Sequence, residues 1–566
     1  MLKIKLTDCL FKLREDADFD SIRQINEVKT VRNRKASFQI IVLSDEDSVI
    51  RTDGTLYYRQ VCNCNSYRLD IKSANKVTVY PEGYIPDDPG RPAACDILLE
   101  DRFIELTANK PAALWVDVDI DENSKSEEIA INTYVSFMFS DEAEWSSDKI
   151  KLNVIDITLP DGKDFKYYLD LWQHSSNLAR KHEVPMFSDA HFEVLEGYVK
   201  TLADLGQKAV TVVASEIPWS GQGCIGSPDK ANMFEYSMIK VTKRANGRFS
   251  YDYSAMQRYI DLCFKYGINS EISVFGLANI WSGAAFPKPA KRYPDGIRIR
   301  YFDEATSTYK FMQKASEIDG YVRALERYFI RKKLIDKVRV AADEPRDIEA
   351  FNVILQRLHK NAPHFRYKAA IDHSDFIEKF FDLMYDFVPF IAGSTREHDI
   401  ISKYLGKEGK RFLWYVCCTP NYPNTFIRSE LYESLYFPVL TAFMGFDGFL
   451  RWNYTIFNDD PRKDIKYSAF PTGDINFVYP SRNGKPLLSV RYKAMRYASE
   501  LFELITMAKQ KATDEEMASV YACVMPTSDI STFFTKEKVL EKEKMLSVCV
   551  TDYEKLCDML IEIILR

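Results

Sequence analysis

No stretch of about 18 apolar residues occurs in this 566-residue sequence, so no membrane-spanning helix is expected. The N-terminus, Met1-Leu-Lys-Ile-Lys-Leu6, never develops the apolar run of a secretion signal. Charge of one sign is lacking too: 76 basic and 82 acidic residues leave a net charge of −6. That is too small an imbalance for this length to point to nucleic acid or a membrane surface as partner. Cysteines with metal-ligand spacing are missing. The 11 cysteines are odd in number, Cys62 and Cys64 have no second pair, and Cys417-Cys418 lie in a run that reads as a buried strand. Reduced thiols and a cytoplasmic location are expected, although a chain trimmed of a secretion signal would look the same. Phosphate loops are also absent. No GxxxxGK[ST] occurs, and the one GxGxxG, Gly221 to Gly226, lies between Ile217-Pro-Trp219 and Ser227-Pro-Asp229 rather than between a strand and a helix. It reads as a loop, which argues against an open doubly wound sheet.

What is present is length, apolar residues at 46% and aromatics at 13%. The length predicts about two to four domains. Aromatics serve sugar sites and packed cores alike, and packing accounts for most of them. Residues 1–160 alternate short β-like runs with polar turns: Ser37 to Leu43, Lys76 to Tyr80, Ala112 to Asp119 and Ile129 to Phe137. With no convincing helix between them, an antiparallel β-sandwich serving as an accessory domain is the simplest architecture.

From residue 161 strands alternate with amphipathic helices. Eight strand candidates follow: Phe165 to Trp172, Lys208 to Ser215, Glu271 to Leu277, Val338 to Asp343, Tyr367 to Asp372, Phe387 to Gly393, Phe412 to Cys418 and Gly448 to Tyr454. Helices are expected at Glu193 to Leu205, Ser254 to Lys265, Tyr321 to Lys333, Ile348 to Lys360 and His398 to Tyr404. This repeat predicts a (β/α)8 TIM-type barrel over 161–510, followed by a mostly helical C-terminal extension, 511–566. Two strand-to-helix connections are long. The first, Glu216 to Tyr253, contains an Asn246-Gly247 hairpin signal, and the second begins at Leu277 and contains Trp281.

Such barrels carry their active sites at strand C-terminal ends. The fourth candidate closes on Asp343-Glu344-Pro345 after a run of Val and Ala around one Arg, and the proline ends the strand. Collected strand ends supply Asp170, Trp172, His174, Glu216, Trp219, Asp343, Glu344, Asp372, His373, Arg396, Glu397, Tyr415, Trp452, Asn453 and Tyr454. Carboxylates with aromatic platforms, and no lysine, fit a carbohydrate better than a phosphorylated substrate. The plainer reading makes Asp170 and Asp372 helix caps, the histidines packing residues, Trp172 and Trp452 core, and Asp343-Glu344 a salt-bridged pair.

Several of these pieces together resemble glycoside hydrolase family 123, whose known activity is β-N-acetylgalactosaminidase. They are Ala36-Ser-Phe-Gln39, Asp170-Leu-Trp-Gln-His174, Asp343-Glu-Pro345, Gly448-Phe-Leu-Arg-Trp452, Gly473 to Pro480 and Ser489-Val-Arg491. The resemblance implies an exo-acting retaining hydrolase of terminal β-linked N-acetylhexosamine, with the sugar's own acetamide as nucleophile through an oxazolinium intermediate. Glu344 would be acid and base, and Asp343 would orient the acetamide. Trp172, His174, Asp372, Tyr415, Trp452, Asn453 and Tyr454 would bind the sugar of an oligosaccharide or glycoconjugate. No metal or organic cofactor is implied. Two alternatives stay open: a glycosidase of the same fold on a sugar lacking the acetamido group, with Asp372 or Glu397 as nucleophile, and a catalytically silent carbohydrate-binding barrel.

Overall fold

The computed structural model describes residues 1–53, 64–137, 140–218, 234–278, 288–371, 373–463, 466 and 470–566. The N-terminal part is two facing sheets. One runs Leu2–Asp8, Arg34–Ser44, Ala112–Ile120, Val77–Ile85, Ala94–Leu98 in spatial order; the other has six strands, including Asn65–Lys72, Glu127–Phe137 and Ala143–Thr158. Alternate residues of both sheets meet in one apolar layer: Phe38, Ile40, Val42, Leu114 and Val116 from the first, Tyr67, Leu69, Ile129, Ile131 and Ile150 from the second. Most pairs are antiparallel, as expected. Two pairs in the second sheet, Glu27–Arg32 with Ala143–Thr158 and Ser48–Arg51 with Asn65–Lys72, run parallel.

Eight parallel strands follow. They are Tyr168–Leu171, Ala209–Val213, Glu271–Phe275, Val338–Ala342, Arg366–Ile371, Met384–Pro389, Arg411–Val416 and Gly448–Arg451. From the second to the eighth, each pairs with its neighbour in sequence, and the eighth also pairs with the first: Tyr168 with Gly448 and Leu171 with Arg451. A Cβ at Gly448 would fall 2.0 Å from the Tyr168 carbonyl oxygen, so this seam requires glycine. The seam between the first and second strands is completed by side chains. Leu171 N donates to Gln207 Oε1 at 2.8 Å, and Thr211 N to Gln173 Oε1 at 2.8 Å. The two glutamines occupy ladder positions that backbone carbonyls would otherwise fill. The barrel is nearly closed.

The eight expected strands exist with shifted ends: most stop short of the expected residue, and the fifth, sixth and seventh begin before it. The sixth expectation overran: Pro389 ends that strand, and Ile391–Arg396 is helical. The hairpin at Asn246-Gly247 forms between Lys240–Lys243 and Phe249–Asp252, with Gly247 at φ +80°. Helices Asp189–Asp204, Ser254–Lys265, Ala315–Arg331 and Ile348–Asn361 cover the barrel, with their apolar residues buried in its outer layer. Helix Tyr432–Met444, buried almost all round, was not foreseen. The C-terminal helices Asp514–Ala522 and Val550–Leu565 bury Val520, Leu556 and Leu560 in the same core. Among the described residues no helix is long and apolar enough to cross a membrane.

Buried ion pairs lock sandwich to barrel. Asp117 of the sandwich accepts from Lys493, from Ser37 Oγ at 2.7 Å and from Trp115 Nε1 at 2.6 Å. Asp96 takes a bidentate bond from Arg491, 2.9 Å on each arm, and a third from Tyr479 OH at 2.6 Å. Charge-assisted and fully satisfied, these contacts fix one relative orientation of the two parts.

Candidate active site

Alternation along the strands sorts the barrel residues. Tyr168, Trp172, Val213, Phe275, Ala341, Ala370, Val388, Leu413, Tyr415, Leu450 and Trp452 form the interior cluster, while Val340, Ala342, Trp414, Val416 and Phe449 pack outward under the helices. On the fourth strand, Ala341 faces in and Ala342 out, so a continued strand would turn Asp343 in and Glu344 out. Glu344 instead has φ +41°, a left-handed conformation that costs a non-glycine residue about 1–3 kcal/mol. Its Oε1 accepts a 2.6 Å hydrogen bond from the hydroxyl of Tyr415, an interior residue. The left-handed backbone thus aims Glu344 at Tyr415, on the interior side of the barrel. Asp343 and Glu344, both half-buried, directly follow the fourth strand at the C-terminal end of the barrel.

Aromatic rings wall this end of the barrel. Trp172 meets Phe275 edge-on at 4.9 Å, Phe390 tilts against Tyr415 at 5.3 Å and Phe470 against Trp452 at 5.5 Å. Trp172, Tyr415 and Trp452 belong to one interior cluster and are all buried, backed by three phenylalanines that the strand ends did not reveal. Cys417 also packs against this cluster. It and Cys418 lie just beyond the seventh strand and are half-buried, not inside a buried strand as expected.

Other candidates face elsewhere. His174 is buried at the start of helix Ser175–Lys181, and its Nε2 lies 3.1 Å from the Trp452 carbonyl. That carbonyl only accepts, so Nε2 carries the proton, and Nδ1 faces Glu235 Oε1 at 4.0 Å. Burial lowers the His174 pKa to about 4 and raises that of Glu235 to about 7. His174 supports the strand end that presents Trp452. Asn453 is buried, and among the described residues its amide has no hydrogen-bond partner. Tyr454 is not at the mouth: the eighth strand stops at Arg451, alternation ends with it, and Tyr454 is buried under helix Asp189–Asp204, its hydroxyl 2.7 Å from Thr201 Oγ1. Asp372, Trp219 and Gly221 to Gly226 lie outside the described residues.

Asp170 caps no helix. It belongs to a charged floor inside the barrel, where Lys368 bridges it to Glu271, Arg411 joins Glu271 at 3.2 Å and Asp386 at 2.7 Å, and Arg339 pairs with Asp386. Tyr168 donates to Glu271 at 2.6 Å. Three acids and three bases balance at the end opposite the mouth, where such barrels concentrate stability rather than chemistry. Charged residues at inward positions of otherwise apolar strands were the signal for this layer. Glu397 is committed too: Arg396 donates to one oxygen at 2.7 Å and Ser374 N to the other at 2.8 Å. Glu216 pairs with Arg300 at 2.6 Å, and His373 is exposed. Among the described residues no group of three or more His, Cys, Asp or Glu is placed to hold a metal ion. A separate cavity of about 400 Å³ between the sandwich and helix Val550–Leu565 shares no lining residue with the mouth.

The model of the glycoside hydrolase 123 catalytic domain matches residues 172–508, more than half of the chain. The chain belongs to this family. Over its whole length it superposes on a family 123 glycoside hydrolase from Clostridium perfringens, studied for glycolipid glycan hydrolysis, with a TM-score of 0.73, 18% identity and 97% of that chain covered. A putative glycoside hydrolase from Bacteroides vulgatus matches 78% of this chain and 77% of its own at 10% identity, with a TM-score of 0.34 that carries no argument. No curated protein matches the sequence. Family 123 membership makes the barrel the catalytic domain of a glycosidase. It also encloses most of the scaffold motifs: Arg451 pairs with Asp474, and Arg491 donates to the carbonyls of Gly473 and Asn476 as well as to Asp96.

Proposed function

We propose that this glycosidase removes a terminal β-linked N-acetylhexosamine, N-acetylgalactosamine in preference, from an oligosaccharide or glycoconjugate, with the substrate's acetamide as nucleophile. The observation that carries the reading is Glu344, held by the Tyr415 hydroxyl at the end of the fourth strand with Asp343 as its half-buried neighbour. Two-carboxylate glycosidases place their groups on opposite sides of the scissile bond, about 5 Å apart for retention and farther for inversion. Neighbouring residues at one strand end suit a different division of labour. Glu344 protonates the glycosidic oxygen and then deprotonates water; Asp343 holds the acetamide N–H and balances the charge of the oxazolinium.

The commitment of Glu397 to Arg396 and Ser374 weighs against its use as a separate nucleophile. Trp172 and Trp452, buried in the interior cluster, would back a pyranose site rather than form an exposed platform. Buried Asn453, next to Trp452 in sequence, has an amide without a hydrogen-bond partner among the described residues. Neither nucleic acid nor a membrane is required as partner. The test is nitrophenol release from matched β-GalNAc, β-GlcNAc and β-galactoside substrates, with Glu344→Gln as control. Cleavage restricted to an acetamido sugar and lost in the control supports the reading; equal cleavage of the plain galactoside contradicts it. Binding of the sugar without turnover would favour the silent barrel.

A further inference from the structure

Cys417 and Cys418 are consecutive, follow the seventh strand directly, and hold their sulfur atoms 4.0 Å apart. Both are half-buried at the barrel mouth, and Tyr415, the donor to Glu344, lies two residues upstream of Cys417. We propose that this pair is an oxidation site, closing into a vicinal disulfide that draws Tyr415 away from Glu344 and slows hydrolysis until the bond is reduced. The effect on hydrolysis rests on the function proposed above; the thiol chemistry does not.

Three features point to this pair among the cysteines. A disulfide requires two sulfurs within reach of side-chain rotation, and adjacent residues with facing sulfurs meet that condition without rearranging distant chain. Their Cα atoms are about 3.8 Å apart, shorter than the usual disulfide range of about 4.4–6.8 Å, so the closed ring is strained and easily reduced. Strained disulfides are the labile, regulatory ones rather than structural staples. Second, the Cys417 thiol bonded to its neighbour makes Cys418 the readier to ionise, lowering its pKa against burial and the nearby carboxylates of Asp474 and Glu344. Burial pushes Cys9 and Cys263 up to about 12 and Cys557 to about 11, which keeps them unreactive. Third, the pair is held on both flanks. Asn424 Nδ2 bonds the Cys417 carbonyl at 3.1 Å and the Pro420 carbonyl at 2.7 Å, while Tyr415 and Val416 pair with Leu450 and Arg451 of the eighth strand. Ring closure therefore pulls against both flanks, that of Tyr415 among them.

The oxidant is a small-molecule disulfide. The Cys418 thiolate attacks one of its sulfurs and expels a thiolate. The Cys417 sulfur, losing its proton, then attacks Cys418 Sγ in the mixed disulfide and expels the second thiol. Two protein thiols lose two electrons and two protons, and the reagent leaves as two thiols.

The test is incubation of the full-length protein with oxidised glutathione, followed by unreduced peptide mapping and glycosidase assay. The expected result is a Cys417-Cys418 peptide lighter by two hydrogen atoms. Activity falls about tenfold or more in step with it, the loss of one charge-assisted hydrogen bond, and dithiothreitol restores it. Cys418→Ser has ordinary activity before oxidation and keeps it afterwards. The proposal is overturned if the peptide stays a dithiol or carries only glutathione adducts while exposed Cys549 reacts. It is equally overturned if the ring forms and activity is unchanged. A protein inactive on every glycoside before oxidation refutes the hydrolytic reading instead, and the peptide mass still decides the thiol site.

Discussion

His174 and Glu235 make a prediction about the pH dependence of stability that neither residue makes alone. Glu235, raised by burial from 4.5 to about 7, keeps its proton in the folded protein where the unfolded chain has lost it. Its contribution is complete below about pH 4.3 and disappears as the pH rises through 7. His174, lowered by burial from 6.5 to about 4, is neutral in the fold where the unfolded chain is charged. Its contribution is complete above about pH 6.5 and disappears as the pH falls toward 4. Each shift is worth about 3 kcal/mol over its window, and the two have opposite sign. Between these limits the folded pair and the unfolded pair bind the same number of protons, so together they leave stability flat. Single substitutions expose the halves. Glu235→Gln leaves a protein that gains about 3 kcal/mol as the pH rises from 4.5 to 6.5, and His174→Gln leaves one that loses about as much. Buried Glu82, raised to about 8, tilts all three proteins alike and drops out of the comparison. Urea midpoints at pH 4.5, 5.5 and 6.5 measure this. Slopes in both variants indistinguishable from the parent would refute the buried-pair reasoning.

Lys368→Met leaves Asp170 and Glu271 without their shared cation in the barrel floor, and a loss of about 3–5 kcal/mol is expected by calorimetry. A loss no larger than that of a surface substitution contradicts the floor's role. Gly448→Ala forces a Cβ onto the Tyr168 carbonyl, so the variant should melt far below the parent or fail to fold; a parent-like melting curve contradicts the close approach of the first and eighth strands. Tyr415→Phe removes the donor to Glu344, lowering kcat about ten- to hundredfold. Without that donor the carboxyl keeps its proton to higher pH, and the alkaline limb of the rate profile moves up; an unmoved limb would make Tyr415 a wall residue only.

The barrel was legible because its strands carry apolar residues on both faces and recur between amphipathic helices, a pattern that survives errors at element ends. Those errors had local causes. Past Pro389 the apolar residues continue into a helix and look like more strand. Tyr454 was assigned to the site as the end of the eighth strand, which stops three residues earlier at Arg451. Asp343-Glu344 stood out as the carboxylate pair closing an apolar strand. The reversal at Glu344 that aims it at Tyr415 is a backbone dihedral that the residue type argues against, and residue preferences could not supply it. The motifs Ala36 to Gln39, Gly473 to Pro480 and Ser489 to Arg491 were recognised without a role. In the fold they hold parts together: Ser37 on Asp117, Gln39 on the Asp8 and Phe11 carbonyls, and Ser489 capping helix Val490–Lys509.

The central claim is that the substrate's acetamide, not a third carboxylate, attacks the anomeric carbon beside Asp343 and Glu344. The most direct measurement is kcat/KM for aryl β-N-acetylgalactosaminides whose acetyl methyl carries zero, one, two or three fluorines. Each fluorine withdraws electrons from the carbonyl oxygen and weakens it as a nucleophile. The account predicts a steep, continuous fall along the series. A flat series, with turnover intact on the trifluoroacetamide, would contradict it and require a nucleophile from the protein.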